Sequence, residues 1–289
     1  MKKILLIGKT GQLGAEIIKD AFSFGFEVFG FEKEELDVTK ELQVREKIKE
    51  IKPDILINTS AYNAVSMCEK DPMPAMMLNF IAVQNLASIC KENNIIFVTY
   101  STDYVFDGKK GSPYDENDKP NPLQLYGISK ASGEHATLNY YSKGSFLIRT
   151  CGLFAGRKGS QEKGGNFVLN IMKEAQNKEI IEVSSEQIVS PTYAKDLSEA
   201  TLKLLKSKAE PGIYHLVNEG YCSWYEFTKE IFKLAGIDKK LLPVSRESEN
   251  SQVKRPKFSA LRNTKAKALG IELPSWQEGV KSYLNFLNL

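Results

Sequence analysis

The first half of the chain alternates short apolar runs with segments whose apolar residues recur at helical spacing. Short apolar runs are typical of buried parallel strands, whereas recurrence at i, i+3, i+4 and i+7 is typical of amphipathic helices. The predicted strands are Ile4–Ile7, Glu27–Phe31, Ile55–Asn58, Ile95–Tyr100 and Phe146–Thr150, and the predicted helices are Gln12–Ala21, Leu42–Ile51, Ala75–Glu92 and Tyr126–Tyr141. The alternation predicts an α/β fold of the Rossmann type, with a doubly wound parallel sheet.

The second half has fewer strand signals. Its predicted helices are Asn166–Ala175, Tyr193–Leu205, Trp224–Ala235 and Trp276–Leu287, its strands are Ile180–Val183 and Ile213–Val217, and Ser223 is a predicted N-cap. The polar, glycine-containing stretch Arg157–Gly165 is predicted to be a loop that is mobile before ligand binds. We expect residues 1–150 to form a dinucleotide-binding domain, to which elements near 188–218 return. Residues 151–289 should form mainly a smaller substrate-binding lobe.

Composition and charge narrow the class of protein. The 289 residues are 42% hydrophobic and 26% charged, as in ordinary globular proteins, and the formal net charge is +3. Positive and negative residues are interspersed, so nothing indicates nucleic acid or an anionic membrane as a partner. No apolar run approaches the roughly 20 residues of a membrane span, and no signal-peptide core precedes the first strand. We therefore expect a cytoplasmic protein.

Cysteines and histidines are too few and too scattered to predict a metal site. The cysteines are Cys68, Cys90, Cys151 and Cys222, and the histidines are His135 and His215. The cysteines lack C-x-x-C spacing, which indicates free thiols in a reducing compartment, and Cys151 is expected to be an inert packed thiol. His215 lies in an apolar run and is expected to be structural.

A glycine-rich turn, Gly8-Lys-Thr-Gly-Gln-Leu-Gly14, follows the first strand and precedes a helix. That is the context of a dinucleotide-binding fingerprint, although the spacing is G-x-x-G-x-x-G. Glycines let the backbone approach a pyrophosphate, which the free N–H groups and the dipole of the helix N-terminus then bind. An ordinary strand–helix junction would look the same in isolation, so the interpretation depends on residues elsewhere in the chain.

Tyr126 and Lys130 are residues elsewhere in the chain that support a dinucleotide-binding site. They lie four residues apart in a predicted helix and therefore share one face. Thr102 follows the fourth strand, at the carboxyl edge of the sheet where α/β proteins bind ligands. A neighbouring ammonium lowers the pKa of a phenol from its usual value of about 10. Together the residues predict a site that gives a proton to a carbonyl oxygen as it becomes an alkoxide.

Motifs in a characteristic order run along the whole chain. They are Gly8-Lys-Thr-Gly-Gln-Leu-Gly14, Glu35-Leu-Asp-Val-Thr39, Lys52-Pro-Asp-Ile-Leu-Ile-Asn58, Ser101-Thr-Asp-Tyr-Val-Phe-Asp-Gly108, Asn121-Pro122, Tyr126-Gly127, Lys130, Gly133-Glu134, Arg149-Thr150, Gly165-Asn-Phe167 and Gln187 with Ser190-Pro-Thr192. With these motifs the chain resembles the extended short-chain dehydrogenase/reductases, and within them the dTDP-4-dehydrorhamnose reductases. The resemblance implies reduction of the C4 keto group of a nucleotide-diphosphate sugar in deoxysugar and cell-surface polysaccharide synthesis. The first expectation is conversion of dTDP-4-dehydro-L-rhamnose to dTDP-L-rhamnose.

The resemblance also implies roles for particular residues. Tyr126 would be the general acid, Lys130 would bind the nicotinamide ribose and keep the tyrosine acidic, and Thr102 would bond the carbonyl. Implied coenzyme contacts are Gly8, Gly11, Gln12, Leu13 and Gly14 at the pyrophosphate, Asp37 and Val38 at the adenine, and Ser60, Ala61 and Tyr62 at a ribose. Implied substrate contacts are Asp103, Tyr104, Asn166 and Phe167.

Two positions depart from the family pattern, and the first is Ser66, which follows Val65 where the family commonly has aspartate. At the second, the family commonly has tryptophan shortly after the Arg-Thr motif, whereas this chain has Gly152. The glycine predicts either a roomier sugar site or a sugar that sits differently, and in consequence tolerance of more than one 4-keto-6-deoxy sugar. The sugar would then be held by Tyr104, Phe154 or the Arg157–Gly165 loop.

The end of the second strand bears on the choice of coenzyme. An acidic residue there, Glu32, accepts hydrogen bonds from ribose hydroxyls and repels a 2′-phosphate, which favours NADH. Lys33 would pair with that phosphate, or would be only a solvated charge. We expect both NADPH and NADH to bind, with the family resemblance favouring NADPH.

Two other function classes share these features. A similar fold serves as the regulatory subunit of methionine adenosyltransferase, but the complete set of Thr102, Tyr126 and Lys130 favours catalysis. Sugar-nucleotide epimerases and dehydratases are a further alternative. Dehydratases often carry Asp-Glu beside the threonine, and here the pair is Asp103-Tyr104.

Some assignments stay open at the level of sequence. Phe106 is predicted to be a core residue, because an aromatic residue at a strand end usually packs. Asn58 and Asn79 would either join a proton relay or bond loop backbone. The identity of the nucleotide and the oligomeric state, including whether the chain forms a homodimer, are not determined.

Overall fold

The computed structural model describes residues 1–156, 165–245 and 253–289. Of the predicted Arg157–Gly165 loop, only Gly165 lies within the described residues. The strands are β1 (Lys2–Ile7), β2 (Phe26–Phe31), β3 (Ile55–Asn58), β4 (Ile96–Thr102), β5 (Ser145–Thr150), β6 (Leu153–Phe154), β7 (Ile180–Ser184), β8 (Ile188–Val189), β9 (Thr192–Tyr193), β10 (Gly212–His215), β11 (Cys222–Ser223) and β12 (Lys240–Val244). The helices are α1 (Gln12–Ala21), α2 (Glu41–Ile51), α3 (Val65–Cys68), α4 (Met73–Met76), α5 (Ala82–Glu92), α6 (Leu125–Tyr141), α7 (Phe167–Asn177), α8 (Ala194–Lys206), α9 (Trp224–Leu234), α10 (Thr264–Ala268) and α11 (Trp276–Leu287).

A six-stranded sheet forms the centre of the fold, in the order β2-β1-β3-β4-β5-β10, and every neighbouring pair is parallel. The predicted Rossmann-type sheet is therefore confirmed. The strand order reverses beside β1, because the chain runs outward to β2 and then returns to β3 on the other side. Ligands of open α/β sheets bind at such a reversal, outside the carboxyl ends of the strands.

The sheet is apolar on both faces, as the uninterrupted strand sequences require. In β1, Ile4 and Leu6 pack on one face with α1 and α8, while Leu5 and Ile7 pack on the other with α2 and α5. Successive side chains of a strand point to opposite faces, so only a continuous apolar run can cover both. This burial fixes the strands and leaves their carboxyl ends free to carry polar side chains.

The later part of the chain builds a second hydrophobic cluster. Phe154, Phe227 and Tyr283 are among its buried residues. The ring centres of Phe227 and Tyr283 lie 5.6 Å and 5.3 Å from that of Phe154. Short strand pairs, β6–β9, β7–β12 and β8–β11, lie beside it. Ser223 caps α9 with a capping box, which confirms its prediction as an N-cap. The cluster covers the carboxyl side of the sheet and forms the second wall of a cleft.

One helical stretch, Met73–Glu92, differs from its prediction. It combines α4, a π-helical turn at Met77–Ile81 and α5, and by length and composition it is long and apolar enough to cross a membrane. The expectation that no apolar stretch approaches this length was therefore wrong. Its α5 residues Leu86, Ile89 and Cys90 are buried in the core against the sheet. The helix owes its apolar character to this packing.

Candidate active site

A cleft of about 1040 Å³ opens along the carboxyl ends of the strands. It runs from the glycine turn after β1, past Thr102, Tyr126 and Lys130, to Trp224 on α9. Of the described residues assigned a coenzyme or substrate role from the sequence, all but Gly14 and Phe154 line this cleft. Residues spread from position 8 to position 167 are thus brought together by the strand order of the sheet.

Two glycines explain how the turn can hold a dinucleotide. Gly8 has φ +85°, a conformation that residues with side chains rarely adopt, and a Cβ there would lie 2.6 Å from Thr59 Oγ1. A Cβ at Gly14 would lie 2.1 Å from the Gly8 carbonyl oxygen, so Gly14 sits behind the turn and lets α1 pack closely. No side chain caps the N-terminus of α1, so its first N–H groups are available to an anion. This cradle fits a pyrophosphate.

Glu32 and Lys33 lie at the cleft beside the end of β2, with Asp37 and Val38. Lys33 is exposed, and Glu32 is half-buried. Asp37 accepts hydrogen bonds from the backbone N–H and the hydroxyl of Thr39, which help to hold its pKa below the usual value although burial raises it. This end of the cleft therefore presents the carboxylates of Glu32, Glu34 and Asp37 and the cation of Lys33 to the adenosine side of a coenzyme.

We expect substitutions at Glu32 and Lys33 to change coenzyme preference in opposite directions. Glu32→Ala should raise the ratio of kcat/KM for NADPH to that for NADH several-fold, because it removes repulsion of the 2′-phosphate. Lys33→Ala should lower the same ratio. Lys49→Ala, an exposed lysine on α2 outside the cleft, is the control. Ratios that stay at the wild-type value in both variants would place the two side chains in solvent.

Asn58 and Asn79 hold the loop that carries Ser60, Ala61 and Tyr62. Asn58 Oδ1 accepts from the backbone N–H of Ser60 at 3.1 Å and from its hydroxyl at 2.6 Å. Asn79 Oδ1 accepts from the Tyr62 N–H at 2.9 Å, and its Nδ2 donates to the Tyr62 carbonyl at 2.8 Å. The sequence left open whether these asparagines join a proton relay or bond the loop. In the structure both bond loop residues, and they shape the coenzyme side of the cleft.

Tyr126 is in the first turn of α6, and the helix begins with Gln124 as its N-cap. Lys130 lies one turn later, and its Nζ donates to the Tyr100 carbonyl at 2.6 Å. Thr102 ends β4, and its side chain hydrogen-bonds that of Tyr126. Thr102 and Tyr126 are therefore in contact, and Lys130 lines the same cleft one helical turn from Tyr126.

Burial has the largest effect on the acidity of both Tyr126 and Lys130. Burial raises the pKa of the Tyr126 phenol well above the usual value, and the Asp103 carboxyl raises it further. Burial also lowers the pKa of Lys130 to about 8, which Glu134 partly offsets. Lys130 Nζ donates to the Tyr100 carbonyl, and its effect on the acidity of the phenol stays a prediction. Because burial raises its pKa, Tyr126 holds its proton at neutral pH.

A buried ion pair lies behind Lys130. Glu134, one helical turn further along α6, accepts from Arg149 Nε at 2.9 Å and from Nη2 at 2.7 Å. Arg149 is 1% exposed, and its guanidinium lies 5.0 Å from the ring centre of Phe106. Its Nη1 is 3.5 Å from His215 Nε2, and burial together with this guanidinium lowers the pKa of His215 to about 3. Phe106 and His215 are thus buried beside this ion pair. Phe106 was predicted to be a core residue and His215 a structural one, and both positions agree with this.

Asn166 lines the cleft and also hydrogen-bonds several protein groups. It caps α7, and its Nδ2 donates to Tyr283 Oη at 2.9 Å and to the Ala155 carbonyl at 3.0 Å. Gln12 Oε1 accepts from the Ala155 N–H at 2.8 Å and lies 3.3 Å from Asn166 Nδ2. The amides of Gln12 and Asn166 are therefore engaged by the protein, and they join the glycine turn to the second wall of the cleft.

The space beside Gly152 is occupied by Trp224. A Cβ at Gly152 would lie 3.3 Å from the indole Cη2 and 3.2 Å from Pro191 Cα. The indole stacks on Phe167 with ring centres 4.3 Å apart, and both rings line the cleft. Phe154 is buried in the second hydrophobic cluster and does not line the cleft, so its predicted contact with the sugar was wrong. Sequence reasoning assigned Trp224 only to a helix and missed its place in the site.

Two further residues were missed because they reach the site from a distant segment. Ser259 donates to Asp103 Oδ2 at 2.5 Å, and Arg255 hydrogen-bonds the Tyr104 hydroxyl. Their segment is held by backbone hydrogen bonds to Ile188, which joins it to β8. The Arg-Pro pair at residues 255–256 was the sequence feature that could have marked this segment as part of the site. The sequence alone does not show which strand end the segment approaches.

Comparisons with known proteins agree with this geometry. The RmlD substrate binding domain family matches residues 1–288. The chain is 36% identical to the spore coat polysaccharide biosynthesis protein SpsK of Bacillus subtilis, over 98% of this chain and 97% of that protein. It is 35% identical to a dTDP-4-dehydrorhamnose reductase of Aggregatibacter actinomycetemcomitans, over 98% of each chain. The chain belongs to the RmlD family.

A solved structure supports the same assignment. The dTDP-4-dehydrorhamnose reductase of Bacillus anthracis in complex with NADP superposes with a TM-score of 0.91, at 34% identity and 99% coverage of both chains. Membership makes this RmlD-family chain an NAD(P)H-dependent oxidoreductase of sugar nucleotides. The enzymatic interpretation is therefore favoured over that of a dinucleotide-binding regulatory subunit.

Proposed function

We propose that this RmlD-family enzyme reduces the C4 keto group of a nucleotide-linked 4-keto-6-deoxy sugar, with dTDP-4-dehydro-L-rhamnose as substrate and dTDP-L-rhamnose as product. The observation that carries the proposal is the meeting of Thr102, Tyr126 and Lys130 midway along a cleft that begins at a pyrophosphate cradle. The names of the relatives at 35% and 36% identity support both the reaction and a role in surface polysaccharide synthesis. The four buried free cysteines accord with a cytoplasmic location.

The residues present fit NAD(P)H along the glycine-turn half of the cleft. When bound there, the coenzyme supplies the hydride that reduces the carbonyl carbon. The glycine turn and the N-terminus of α1 would hold its pyrophosphate, and the loop fixed by Asn58 and Asn79 would border a ribose. Lys130 Nζ, which donates to the Tyr100 carbonyl, would also donate to the nicotinamide ribose.

The protein's own chemistry is delivery of one proton. Tyr126 keeps its proton at neutral pH because burial raises its pKa, so it can donate as the substrate oxygen becomes an alkoxide. The Thr102 hydroxyl is within reach of the same oxygen, since it bonds Tyr126. The phenolate left behind is stabilised by the Lys130 ammonium, which is charged below a pH of about 8. Burial makes each of these interactions stronger than it would be in water.

The far half of the cleft would hold the sugar nucleotide. Tyr104, Phe167 and Trp224 give it an aromatic lining, and Trp224 provides the face that Gly152 cannot. Aromatic faces contribute large apolar contact areas at binding sites. The indole beside Gly152 argues against a simply roomier site, and it makes Trp224 the residue to test for sugar binding.

We expect Trp224→Ala to raise the KM for the sugar nucleotide on the order of tenfold, because buried aromatic residues dominate binding at such sites. The dissociation constant of the coenzyme should stay within about twofold, since Trp224 packs beside Gly152 and Phe167, which were assigned to the substrate and not to the coenzyme. Trp224→Phe, which keeps an aromatic face, should retain most of the affinity. A KM unchanged in Trp224→Ala would remove the residue from the substrate site.

The direct test of the proposed function is consumption of NADPH and NADH by the purified protein with dTDP-4-dehydro-L-rhamnose. The C3/C5 epimeric precursor, dTDP-4-dehydro-6-deoxy-D-glucose, and the same sugar on another nucleotide serve as comparison substrates. Turnover that is fastest with dTDP-4-dehydro-L-rhamnose would support the proposal. Coenzyme binding without consumption for any of these sugars would favour the regulatory-subunit alternative instead.

A further inference from the structure

Asp103 is a buried carboxyl group next to the reacting groups, and the mechanism above does not use it. It begins the 3₁₀ turn Asp103–Val105 directly after Thr102, and it is 3% exposed. Its Oδ1 is 3.1 Å from Thr102 Oγ1, and its Oδ2 is 2.5 Å from Ser259 Oγ. The Cys151 thiol also hydrogen-bonds this carboxyl. All of these partners are uncharged groups.

The cations nearest to the site are engaged elsewhere. Arg255 bonds the Tyr104 hydroxyl, and Lys130 Nζ bonds the Tyr100 carbonyl. Among the described residues, no ion pair involves Asp103. The titratable groups that face it, Tyr104, Tyr126 and Cys151, are neutral because burial raises the pKa of each. A carboxyl buried among neutral groups favours its protonated form, and burial raises the pKa of Asp103.

The state of Asp103 decides what the Thr102 hydroxyl can do. That hydroxyl has one hydrogen, and its oxygen already accepts from the Tyr104 N–H at 3.2 Å. If Asp103 were ionised, the hydrogen would point to Oδ1 and could not reach a substrate oxygen. If Asp103 carries a proton on Oδ1, it donates to Thr102, and the Thr102 hydrogen is directed to the Tyr126 side of the cleft, where it can bond Tyr126 or a substrate oxygen.

Ser259 determines which oxygen carries that proton. Its hydroxyl donates to Oδ2, so the proton of the acid lies on Oδ1, the oxygen that faces Thr102. Ser259 is itself fully buried, and its backbone N–H donates to the Ile188 carbonyl at 2.9 Å. The distant segment that carries Ser259 therefore holds the carboxyl group in a fixed orientation.

We propose that Asp103 is a protonated positioning residue, which donates a hydrogen bond to Thr102 and thereby directs the Thr102 hydroxyl to the carbonyl oxygen of the substrate. No proton leaves Asp103 during the reaction, because Tyr126 supplies the proton that the product gains. The arrangement aligns three donors in series, and each hydrogen bond in such a chain strengthens the next. The kinetic part of this proposal rests on the proposed reductase activity.

The test compares Asp103→Asn with Asp103→Ala. The asparagine amide can donate to Thr102 and accept from Ser259, so it reproduces the protonated acid, whereas alanine does neither. We expect Asp103→Asn to keep kcat within about threefold of wild type. Asp103→Ala should lose on the order of tenfold in kcat with little change in KM, the size of one lost hydrogen bond. In a Thr102→Val background, Asp103→Ala should cost nothing more, because the effect passes through Thr102.

A second measurement does not depend on the substrate. Infrared spectra at neutral pH should contain the C=O stretch of a carboxylic acid in wild type, and Asp103→Asn should remove it. Asp107→Asn, four residues further along, is the matched control. Its carboxyl accepts from the Lys109 N–H at 3.0 Å and its pKa is lowered, so it is ionised and contributes no such band.

The two measurements separate failure of this proposal from failure of the proposed function. A wild type without the acid band, or an Asp103→Asn variant as impaired as Asp103→Ala, would overturn the role of Asp103. An additional tenfold loss from Asp103→Ala in the Thr102→Val background would do the same. A wild type that shows the band yet reduces no 4-keto sugar would support the protonated state and contradict the proposed function.

Discussion

Tyr126→Phe should lower kcat on the order of 10²–10⁴-fold while the fold and the coenzyme affinity are retained. The hydroxyl is needed only as charge develops on the substrate oxygen, so its loss falls on the chemical step. Phenylalanine keeps the ring that packs edge-on against Tyr104 at a centroid distance of 6.1 Å. Steady-state kinetics and a coenzyme titration of wild type and variant make the measurement.

Tyr141→Phe is the matched control for this result. It deletes a hydroxyl from the same helix, α6, but Tyr141 packs against the sheet core and does not line the cleft. Its kcat should stay within about twofold of wild type. If Tyr126→Phe turned over within a few-fold of wild type, another group would have to be the proton donor.

Glu134→Ala should destabilise the protein by about 3–5 kcal/mol, the usual cost of leaving one partner of a buried ion pair without its counter-charge. Glu134 is 4% exposed and receives both hydrogen bonds of the Arg149 fork, so alanine would leave a buried guanidinium beside Phe106 and His215. Turnover should also fall, because Glu134 raises the pKa of Lys130 and its loss lowers the charged fraction. In urea unfolding, the loss of stability should appear as a lower midpoint concentration of urea with an unchanged m-value.

An exposed pair of the same kind supplies the control for Glu134. Arg45 donates to Glu92 at 2.6 Å and 3.3 Å on the surface, where Glu92 is 49% exposed. Glu92→Ala should cost less than about 1 kcal/mol, because water replaces the lost partner. An equal decrease in the free energy of unfolding in the two variants would show that burial does not raise the cost of breaking the Glu134–Arg149 pair.

The parallel sheet could be predicted because its signals are local. The runs at Lys2–Ile7 and Ile55–Asn58 must bury both faces, and the glycine turn and the spacing of Tyr126 and Lys130 locate the ligand edge. The strand Lys240–Val244 was not predicted, because a proline within a charged segment hides it and its partner, Ile180–Ser184, is distant in sequence.

The parts of the site that could not be predicted depend on tertiary packing. Trp224 follows an N-cap and looks like a packing aromatic of an amphipathic helix, and only the fold brings its indole against Gly152. Ser259 reaches Asp103 across 156 positions of sequence. The spacing predicts that an ammonium lies near Tyr126, but it does not show the burial that raises the pKa of the phenol.

We propose that the coenzyme bound in this cleft transfers hydride to C4 of the sugar while Tyr126 protonates the oxygen. The most direct test of this proposal uses coenzyme deuterated at the transferable C4 position of the nicotinamide, with dTDP-4-dehydro-L-rhamnose as substrate. The account predicts that NMR of the product finds deuterium at sugar C4, in dTDP-L-rhamnose, and that Tyr126→Phe forms the product far more slowly. A sugar that acquires no deuterium at C4, or acquires it equally fast in Tyr126→Phe, would contradict it.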